Sequence, residues 1–243
     1  MITENVLVAL DLLTAEFAGR EQRADADVGV AFDLWETSIW PAWDERGHKA
    51  QICGMPVHGV LKELGATLGC GANCHALVFP DTVIKWETRP GESMHDNASP
   101  ADAENLYKYA RSSRKTLLRH LAKPEIYGRF IIQKRIRQAS QTLLNLSYDR
   151  REQHGKKIID LALELGLSDL HAENWGFAVD DVDCTTPVIF DFSGTPREPY
   201  ATMPNALIVL QAVGLAYEST MTWVRPALLD HLVTTYNYEP YLK

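Results

Sequence analysis

The sequence predicts an α+β fold with a small β-rich lobe and a helical lobe. Three observations favour this class. β-Rich segments surround a glycine turn at 64–85, two further short β-rich segments stand at 175–190, and helical patterns fill most of the chain from 99 onward. Strands with one helix therefore come first, followed by a connector, a helix, a tight hairpin and more helices, which is an order that suits two lobes.

In the first part of the chain, a helix is predicted over residues 1 to about 20, because four apolar side chains recur at helical spacing: Val6, Leu10, Leu13 and Phe17. The next segment, 33–56, is aromatic and irregular, and it could be a cap on the following lobe or a partner surface. Residues 64–85 then predict a strand, a glycine turn and a second strand, with ALVF and TVIKW as the β-rich pieces. We expect an N-terminal extension over 1–60 and a β-rich lobe with its connector over 61–136.

The second part of the chain is mostly helical in pattern. The predicted elements are a helix, a short strand, a long helix, two short strands around a polar turn and a group of helices, at 99–121, 127–132, 150–165, 175–179, 187–190 and 205–236. Ser99 suits the N-cap of the first of these helices, and Pro100 suits its first turn. The helical lobe is expected over 137–243.

Composition limits the function classes. With 243 residues and 46% hydrophobic content, the chain can build one large core or two small lobes that share a cleft. A formal net charge of −8 argues against a nucleic-acid partner, which needs a basic surface. The longest apolar run is shorter than the ~20 residues that span a bilayer, and the four cysteines show neither a CxxC pair nor a zinc-type histidine cluster. We expect a cytoplasmic protein with reduced thiols and no membrane partner.

The glycine turn contains the residue types of a phosphate cradle. Gly69 and Gly71 would let the backbone approach phosphate oxygens, although two glycines in a turn also occur in ordinary hairpins. Lys85 follows in VIK and could place a cation on the same phosphates. Glu104, on the predicted helix, could hold Lys85 by an ion pair or could be an ordinary surface glutamate.

The strongest signal lies in the segments SDLHAENWGFAV and PVIFDFSG. Asp169 could act as the base that orients an acceptor hydroxyl. Asn174 and Asp191, on the two arms of one predicted hairpin, offer the hard oxygen ligands that Mg²⁺ prefers. An ordinary hairpin with turn-forming Asp and Asn is the alternative, and the combined pattern argues against it.

These motifs resemble those of the protein-kinase-like superfamily: a GxGxx glycine loop, VIK, DLHxxN in place of the catalytic loop and DFS in place of DFG. The resemblance covers about residues 64–194 and looks most like the serine/threonine kinases encoded by short-tailed bacteriophages. It implies a bilobal protein-kinase-like fold with a small β-rich N-lobe and a reduced helical C-lobe. It also implies ATP and Mg²⁺ as cofactors and, if the chain is phage-encoded, a host protein as substrate.

The resemblance implies roles for individual positions. The implied catalytic residues are Asp169, Lys85, Glu104 and Asn174. The implied metal ligands are Asn174 and Asp191. The implied ATP contacts come from the glycine loop, the strand lysine, the hinge after the strand FII and the second carboxylate: Gly69, Gly71, Ala72, Asn73, Cys74, Lys85, Gln133, Arg135 and Asp191.

Several positions depart from the kinase pattern. Cys74 replaces the third loop glycine, and Leu167 and Ser168 replace the His and Arg that precede the catalytic Asp. Ser193 replaces the DFG glycine, no clear APE motif follows, and His171 replaces the loop lysine, as in aminoglycoside- and choline-type kinases. Two alternatives to a protein kinase therefore stay open: a small-molecule kinase, and a pseudokinase that docks a host protein.

Overall fold

The computed structural model describes residues 2–26, 41–42, 51–52, 61, 63–70, 74–87, 100–167, 170–191 and 206–238. The chain divides into two compact units, Met1–Thr88 and Arg89–Lys243. Helices and antiparallel sheets both occur, which confirms the predicted α+β class. The predicted boundaries at residues 60 and 136 stay predictions.

The elements of the first unit whose bounds the structure describes are a helix and several short strands. They are α1 (Glu4–Ala26), β1 (Pro41–Ala42), β2 (Gln51–Ile52), β3 (Thr67–Cys70), β4 (Cys74–Val78) and β5 (Thr82–Glu87). Val6, Leu10 and Leu13 on α1 are buried, so the helix and the apolar stripe that predicted it are confirmed up to Leu13.

Strands β3, β4 and β5 form an antiparallel sheet in sequence order. The predicted strand, turn and strand at 64–85 are therefore three strands rather than two. The extra break comes from a tight turn between ALVF and TVIKW, closed by the N–H of Phe79 donating to the carbonyl of Thr82 at 2.8 Å. One face of this sheet is buried and contains Leu77, Ile84 and Trp86.

Most of the helices that the structure describes lie in the second unit. Its elements are α2 (Pro100–Ser113), β6 (Glu125–Tyr127), β7 (Phe130–Lys134), β8 (Ile136–Gln138), α3 (Ala139–Thr142), α4 (Tyr148–Leu165), β9 (Trp175–Ala178), β10 (Pro187–Ile189), α5 (Ala206–Ala212) and α6 (Arg225–Tyr236). Short 3₁₀ helices cover Lys115–His120, Leu143–Asn145 and Thr222–Val224. The long helix and the two strands of the second hairpin lie close to their predicted ranges.

The core of the second unit lies between its helices and a three-stranded sheet. β9 is the central strand of this sheet and pairs antiparallel with β8 and with β10. Trp175 and Phe177 point from β9 into the core with 0% of each residue exposed, and their rings meet edge to face at 5.9 Å. Ile158 and Ala162 on α4 are equally buried. A rigid hydrophobic layer therefore supports the strand that follows the DLHxxN motif.

Two predicted elements differ in detail. The helix predicted over 99–121 ends at Ser113, because Arg114 leaves the helical conformation (φ −142°, ψ 53°) and a 3₁₀ helix follows. Tyr109, which lies on the described helix, is 41% exposed. The strand predicted at 127–132 is a hairpin of β6 and β7, since Gly128 at φ 58° reverses the chain.

Some predictions lie outside the described residues. They concern most of the aromatic segment 33–56, the N-cap at Ser99 and the region after Asp191 up to 205. In the part of the chain that the structure describes, no helix combines the length and the apolar character needed to cross a membrane.

Candidate functional site

A loop after α4 carries part of the DLHxxN motif. α4 ends at Leu165, and Gly166 follows in the left-handed conformation (φ 66°), a common way to end a helix. Leu167 and Leu170 are both buried, with 1% of each residue exposed. Residues 170–174 are the described part of the predicted catalytic loop, and we call them the catalytic loop below.

The two predicted metal ligands lie next to each other at the open end of one hairpin. Trp175 on β9 pairs with Ile189 on β10. Just beyond that pair, the carbonyl oxygen of Asn174 accepts hydrogen bonds from the N–H groups of Phe190 (3.1 Å) and Asp191 (3.2 Å). Asn174 is 8% exposed, and Asp191 is half-buried. The fold therefore brings the backbones of the two predicted ligand residues together, although 17 positions separate them in the sequence.

Three further carbonyl groups of the catalytic loop are also hydrogen-bonded. The carbonyls of His171, Ala172 and Glu173 accept from the N–H of Asn174 (2.9 Å), the N–H of Ser140 (3.0 Å) and Nε2 of Gln138 (3.4 Å), respectively. Four consecutive carbonyls, from position 171 to position 174, thus each have a donor. A backbone held in this way suits a loop that must keep reacting groups in a fixed geometry.

A glycine lets the central strand approach the segment that supplies those donors. Gly176 on β9 pairs with Gln138 on β8. A Cβ at position 176 would collide with the carbonyl oxygen of Arg137 and would lie 3.0 Å from the nitrogen of Ala139. The close approach therefore excludes a side chain at this position.

The ring of His171 is oriented by the loop itself. The N–H of Glu173 donates to its Nδ1 at 3.3 Å. In the neutral ring the proton then lies on Nε2, which makes Nε2 a hydrogen-bond donor. This donor stands at the position where the kinase pattern has a lysine.

The other arm of the hairpin, β10, is anchored to the 3₁₀ helix that ends at His120. Ala122 N–H donates to the carbonyl of Ile189 at 2.8 Å, and Nδ1 of His120 lies 2.8 Å from the carbonyl oxygen of Pro187. Arg119 donates from Nε to Nε2 of His120 at 3.1 Å, so the ring is neutral with its proton on Nδ1. Burial is the main cause that lowers the pKa of His120, and it outweighs the bond to Pro187, which favours the charged ring.

The turn at the far end of the hairpin is closed by Asp181. Its carboxylate accepts hydrogen bonds from the N–H of Thr185 (2.9 Å to Oδ2) and of Thr186 (2.9 Å). Burial by itself would raise the pKa of Asp181, but these hydrogen bonds outweigh it and lower the pKa. Asp181 thus stabilises the turn locally and lies apart from the candidate site.

In the first unit, two predicted ATP contacts, Gly69 and Lys85, lie in one row across the sheet with Ala76 between them. Gly69 on β3 pairs with Ala76 on β4, and Ala76 pairs with Lys85 on β5. Directly opposite residues of antiparallel strands share a face, so Lys85 lies on the face of Gly69 and Ala76. This face is opposite to the buried one, and Lys85 is half-exposed there. Two positions with small or no side chains beside a lysine leave room for a phosphate chain.

The predicted hinge lies at the end of β7. Gln133 is 4% exposed, and its Oε1 has no hydrogen-bond partner among the residues that the structure describes. Arg135 follows between β7 and β8. A buried amide oxygen without a donor costs stability, so it is a position where a bound donor group would be favourable.

Glu104 has a partner in its own helix. Its carboxylate pairs with Nζ of Lys108 at 2.9 Å, an exposed (i, i+4) ion pair. The predicted ion pair of Glu104 with Lys85 stays a prediction. Asp169, the predicted base, and the loop positions 71–73, which include Gly71, Ala72 and Asn73, lie outside the described residues, and Cys74 begins β4.

The metal-binding potential of the site rests on Asn174 and Asp191. Elsewhere in the described ranges, as at this site, no three or more His, Cys, Asp and Glu side chains cluster as a metal site would require. One amide and one carboxylate are nevertheless a suitable donor set for Mg²⁺, which usually keeps several water and phosphate ligands. The residues present therefore fit a magnesium ion that is bound together with a nucleotide.

The residues that support the catalytic loop were missed by the sequence reasoning. Gln138 and Ser140 act through ordinary backbone and amide hydrogen bonds, for which the sequence contains no signal. Gly176 could have been found, since a glycine inside the β-rich segment WGFAV suggests a close backbone approach.

Comparison with known proteins adds no family to this picture. No protein-family model matches the chain, and no curated protein matches its sequence.

Proposed function

We propose that this chain is an ATP- and Mg²⁺-dependent phosphotransferase of the protein-kinase-like type, acting on serine or threonine hydroxyls of a protein substrate. The observation that carries the proposal is the backbone contact at the end of the β9–β10 hairpin, where the N–H groups of Phe190 and Asp191 both donate to the carbonyl of Asn174. In phosphoryl transfer of the protein-kinase type, magnesium is held by an Asn of the loop that contains the base and by an Asp that follows later in the chain. The motifs DLHxxN and DFS supply these positions in the order that the kinase resemblance implies.

Two features of the predicted ATP-binding residues support the same function. In the first unit, Lys85 shares a sheet face with Gly69 and Ala76, an arrangement that would suit a phosphate chain lying over small residues. In the second unit, Gln133 contains a buried acceptor that lacks a donor among the described residues. The exocyclic amino group of adenine is a donor of the kind that this oxygen would accept.

In the proposed reaction, the acceptor hydroxyl oxygen forms a bond to the γ-phosphorus of ATP, and the bond from that phosphorus to the β,γ-bridging oxygen breaks. Asp169 would orient the hydroxyl and accept its proton, and ADP would leave. Lys85 would neutralise charge on the phosphate oxygens. The Nε2–H of His171 would be a further donor on the loop. Fixed donors of this kind stabilise charge that develops on transfer without reorganising.

Asn174 and Asp191 are the residues that would hold magnesium. When bound, the ion would supply positive charge on the phosphate oxygens. The chain's own contribution is the fixed backbone of the catalytic loop, which sets where the amide and the carboxylate stand.

The test is transfer of labelled γ-phosphate from ATP by the purified full chain, with bacterial lysate as acceptor pool and with Mg²⁺ or EDTA. Asp169→Ala removes the proposed base. Asp183→Ala is the matched control, because Asp183 is an exposed aspartate in the turn of the same hairpin. Labelled protein bands that require Mg²⁺, vanish in Asp169→Ala and persist in Asp183→Ala are the expected result.

Two other outcomes would redirect the assignment. Magnesium-dependent stabilisation by ATP without labelled protein would favour a small-molecule acceptor, a reading that His171 at the loop-lysine position also supports. Absence of any ATP-dependent shift in melting temperature would contradict the phosphotransferase proposal and leave a protein-docking module.

A further inference from the structure

The catalytic loop is contacted from a second side by the turn that follows α5. α5 ends at Ala212, and Gly214 follows with φ 75°. A Cβ on Gly214 would lie 2.6 Å from Cβ, 2.8 Å from Cα and 3.1 Å from the nitrogen of His171. These separations are shorter than van der Waals contact, so the glycine backbone packs directly on the backbone of the loop.

Neither partner of this contact can move aside without disturbing the core. Val213 and Leu215, which flank the glycine, are buried with 0% and 1% exposed. Leu170 and Ala172, which flank His171, are buried with 1% and 0% exposed. A side chain at position 214 would therefore push the loop rather than find space, because displacing either segment would open a close-packed interior.

The need for a left-handed residue does not by itself explain a glycine at this position. After α6, the same kind of position is occupied by Asn237 at φ 55°, so this fold accepts a side chain in that backbone conformation. Gly128, at φ 58°, has no atom within 4 Å of an added Cβ among the described residues. What distinguishes Gly214 from both positions is the contact with His171.

We propose that Gly214 is a positioning residue for the catalytic loop: its backbone sets the position of His171 and, through the hydrogen bond from the N–H of Asn174 to the carbonyl of His171, the position of Asn174. This inference rests on the phosphotransferase function proposed above. It assigns the turn after α5 a role in the geometry of transfer rather than in substrate binding.

The matched pair Gly214→Ala and Gly128→Ala separates this role from backbone strain, since both place the same methyl group at a positive φ. Gly214→Ala should lower kcat for phosphoryl transfer about 10-fold or more, because displacements of about 1 Å can cost as much as 100-fold. KM for ATP should change less than about twofold. Gly128→Ala should leave both constants near those of the unaltered chain. Equal kcat for the two variants would overturn the proposal.

A second measurement on the unaltered chain keeps the proposal testable if Gly214→Ala does not fold. The amides of Asn174 and Gly214 should show hydrogen-exchange protection within about threefold of each other, because the loop and the turn can open only together. Exchange of the Asn174 amide about 100-fold faster than that of Gly214 would overturn the coupling. A chain that transfers no phosphate would refute the proposed function, and exchange would then decide whether the turn holds the loop.

Discussion

The glycine hairpin of the first unit, β3 and β4, and the catalytic loop of the second unit are stabilised in different ways. The hairpin is held by a regular ladder between neighbouring strands, and its buried face contains residues from the same short stretch. The catalytic loop has no ladder of its own. The carbonyls of its last three residues, 172–174, are held by donors near positions 140 and 190, and its backbone contacts Gly214.

Two parts of one proposed reaction should therefore tolerate change unequally. A ladder can adjust along its length, since each residue contributes a similar bond and one face is open. A loop whose backbone is fixed from several sides adjusts poorly, because any shift breaks bonds to segments that are themselves buried. We therefore expect small changes around the catalytic loop to affect catalysis more than comparable changes in the hairpin.

The largest effect should come from the carboxylate beside the loop. Asp191→Asn keeps the shape of the side chain and removes the charge that would hold Mg²⁺, so phosphoryl transfer should fall about 100-fold or more. The Mg²⁺-dependent rise in melting temperature with ATP should also disappear. Asp183→Asn, the same change at an exposed position in the hairpin turn, should leave both intact. If both variants kept full activity, Asp191 would not be a metal ligand.

A smaller effect is expected in the glycine hairpin. Lys85→Met removes the cation from the face that Gly69 and Ala76 share, and it should lower kcat/KM for ATP roughly 10- to 100-fold, the range for one strong electrostatic contact. The control is Lys123→Met, which removes an exposed lysine paired with Glu125 at 3.0 Å. Loss of kcat/KM for ATP in the control alone would contradict the role of Lys85.

The two regions also differ in how far the sequence could predict them. The segments ALVF and TVIKW could be predicted as strands, because β-propensity and turn residues determine how strands that are adjacent in the sequence pair. The adjacency of Asn174 and Asp191 followed from a hairpin whose two arms were visible in the sequence. Ser140 and Gln138 could not be found in this way, since their contacts with the loop depend on where the chain returns after more than 30 residues.

Contacts between distant segments also account for the elements that were predicted imperfectly. The helix at 99–121 was expected to continue, yet it stops at Ser113, and the residues beyond it are held by β10 instead. Tertiary contacts of this kind override a helical pattern. The sequence contains no signal for Gly214 either, because its contact with His171 depends on the fold alone.

A substitution at a close-packed glycine behind the loop should lower stability more than a substitution at a glycine with no close neighbours. Gly176→Ala would force a methyl group against the carbonyl of Arg137, and we expect it to lower the free energy of unfolding by about 3 kcal/mol. Gly128→Ala, which meets no neighbour in the described chain, should cost only about 1 kcal/mol from its positive φ. Chemical denaturation of both variants would measure the difference. Equal losses in the free energy of unfolding for the two variants would mean that the contact between β8 and β9 can relax.

The smallest effect should be a dependence on pH that belongs to the hairpin of the catalytic loop. His120 is neutral in the folded chain, because burial disfavours the imidazolium and lowers the pKa below its usual value of 6.5, with Lys157 and Arg119 adding repulsion. The unfolded chain therefore binds more protons, and the stability due to this residue is fully present above about pH 6.5 and decreases as the pH falls below it.

Asn at this position can still donate to the carbonyl of Pro187 without titrating, so the melting temperature of His120→Asn should fall less between pH 7.5 and pH 5 than that of the unaltered chain. Some dependence should remain, because burial also lowers the pKa of His154. If the two chains lost the same number of degrees, His120 would be charged or solvated in the folded state, and the anchor between the 3₁₀ helix and β10 would be weaker than its 2.8 Å hydrogen bond indicates.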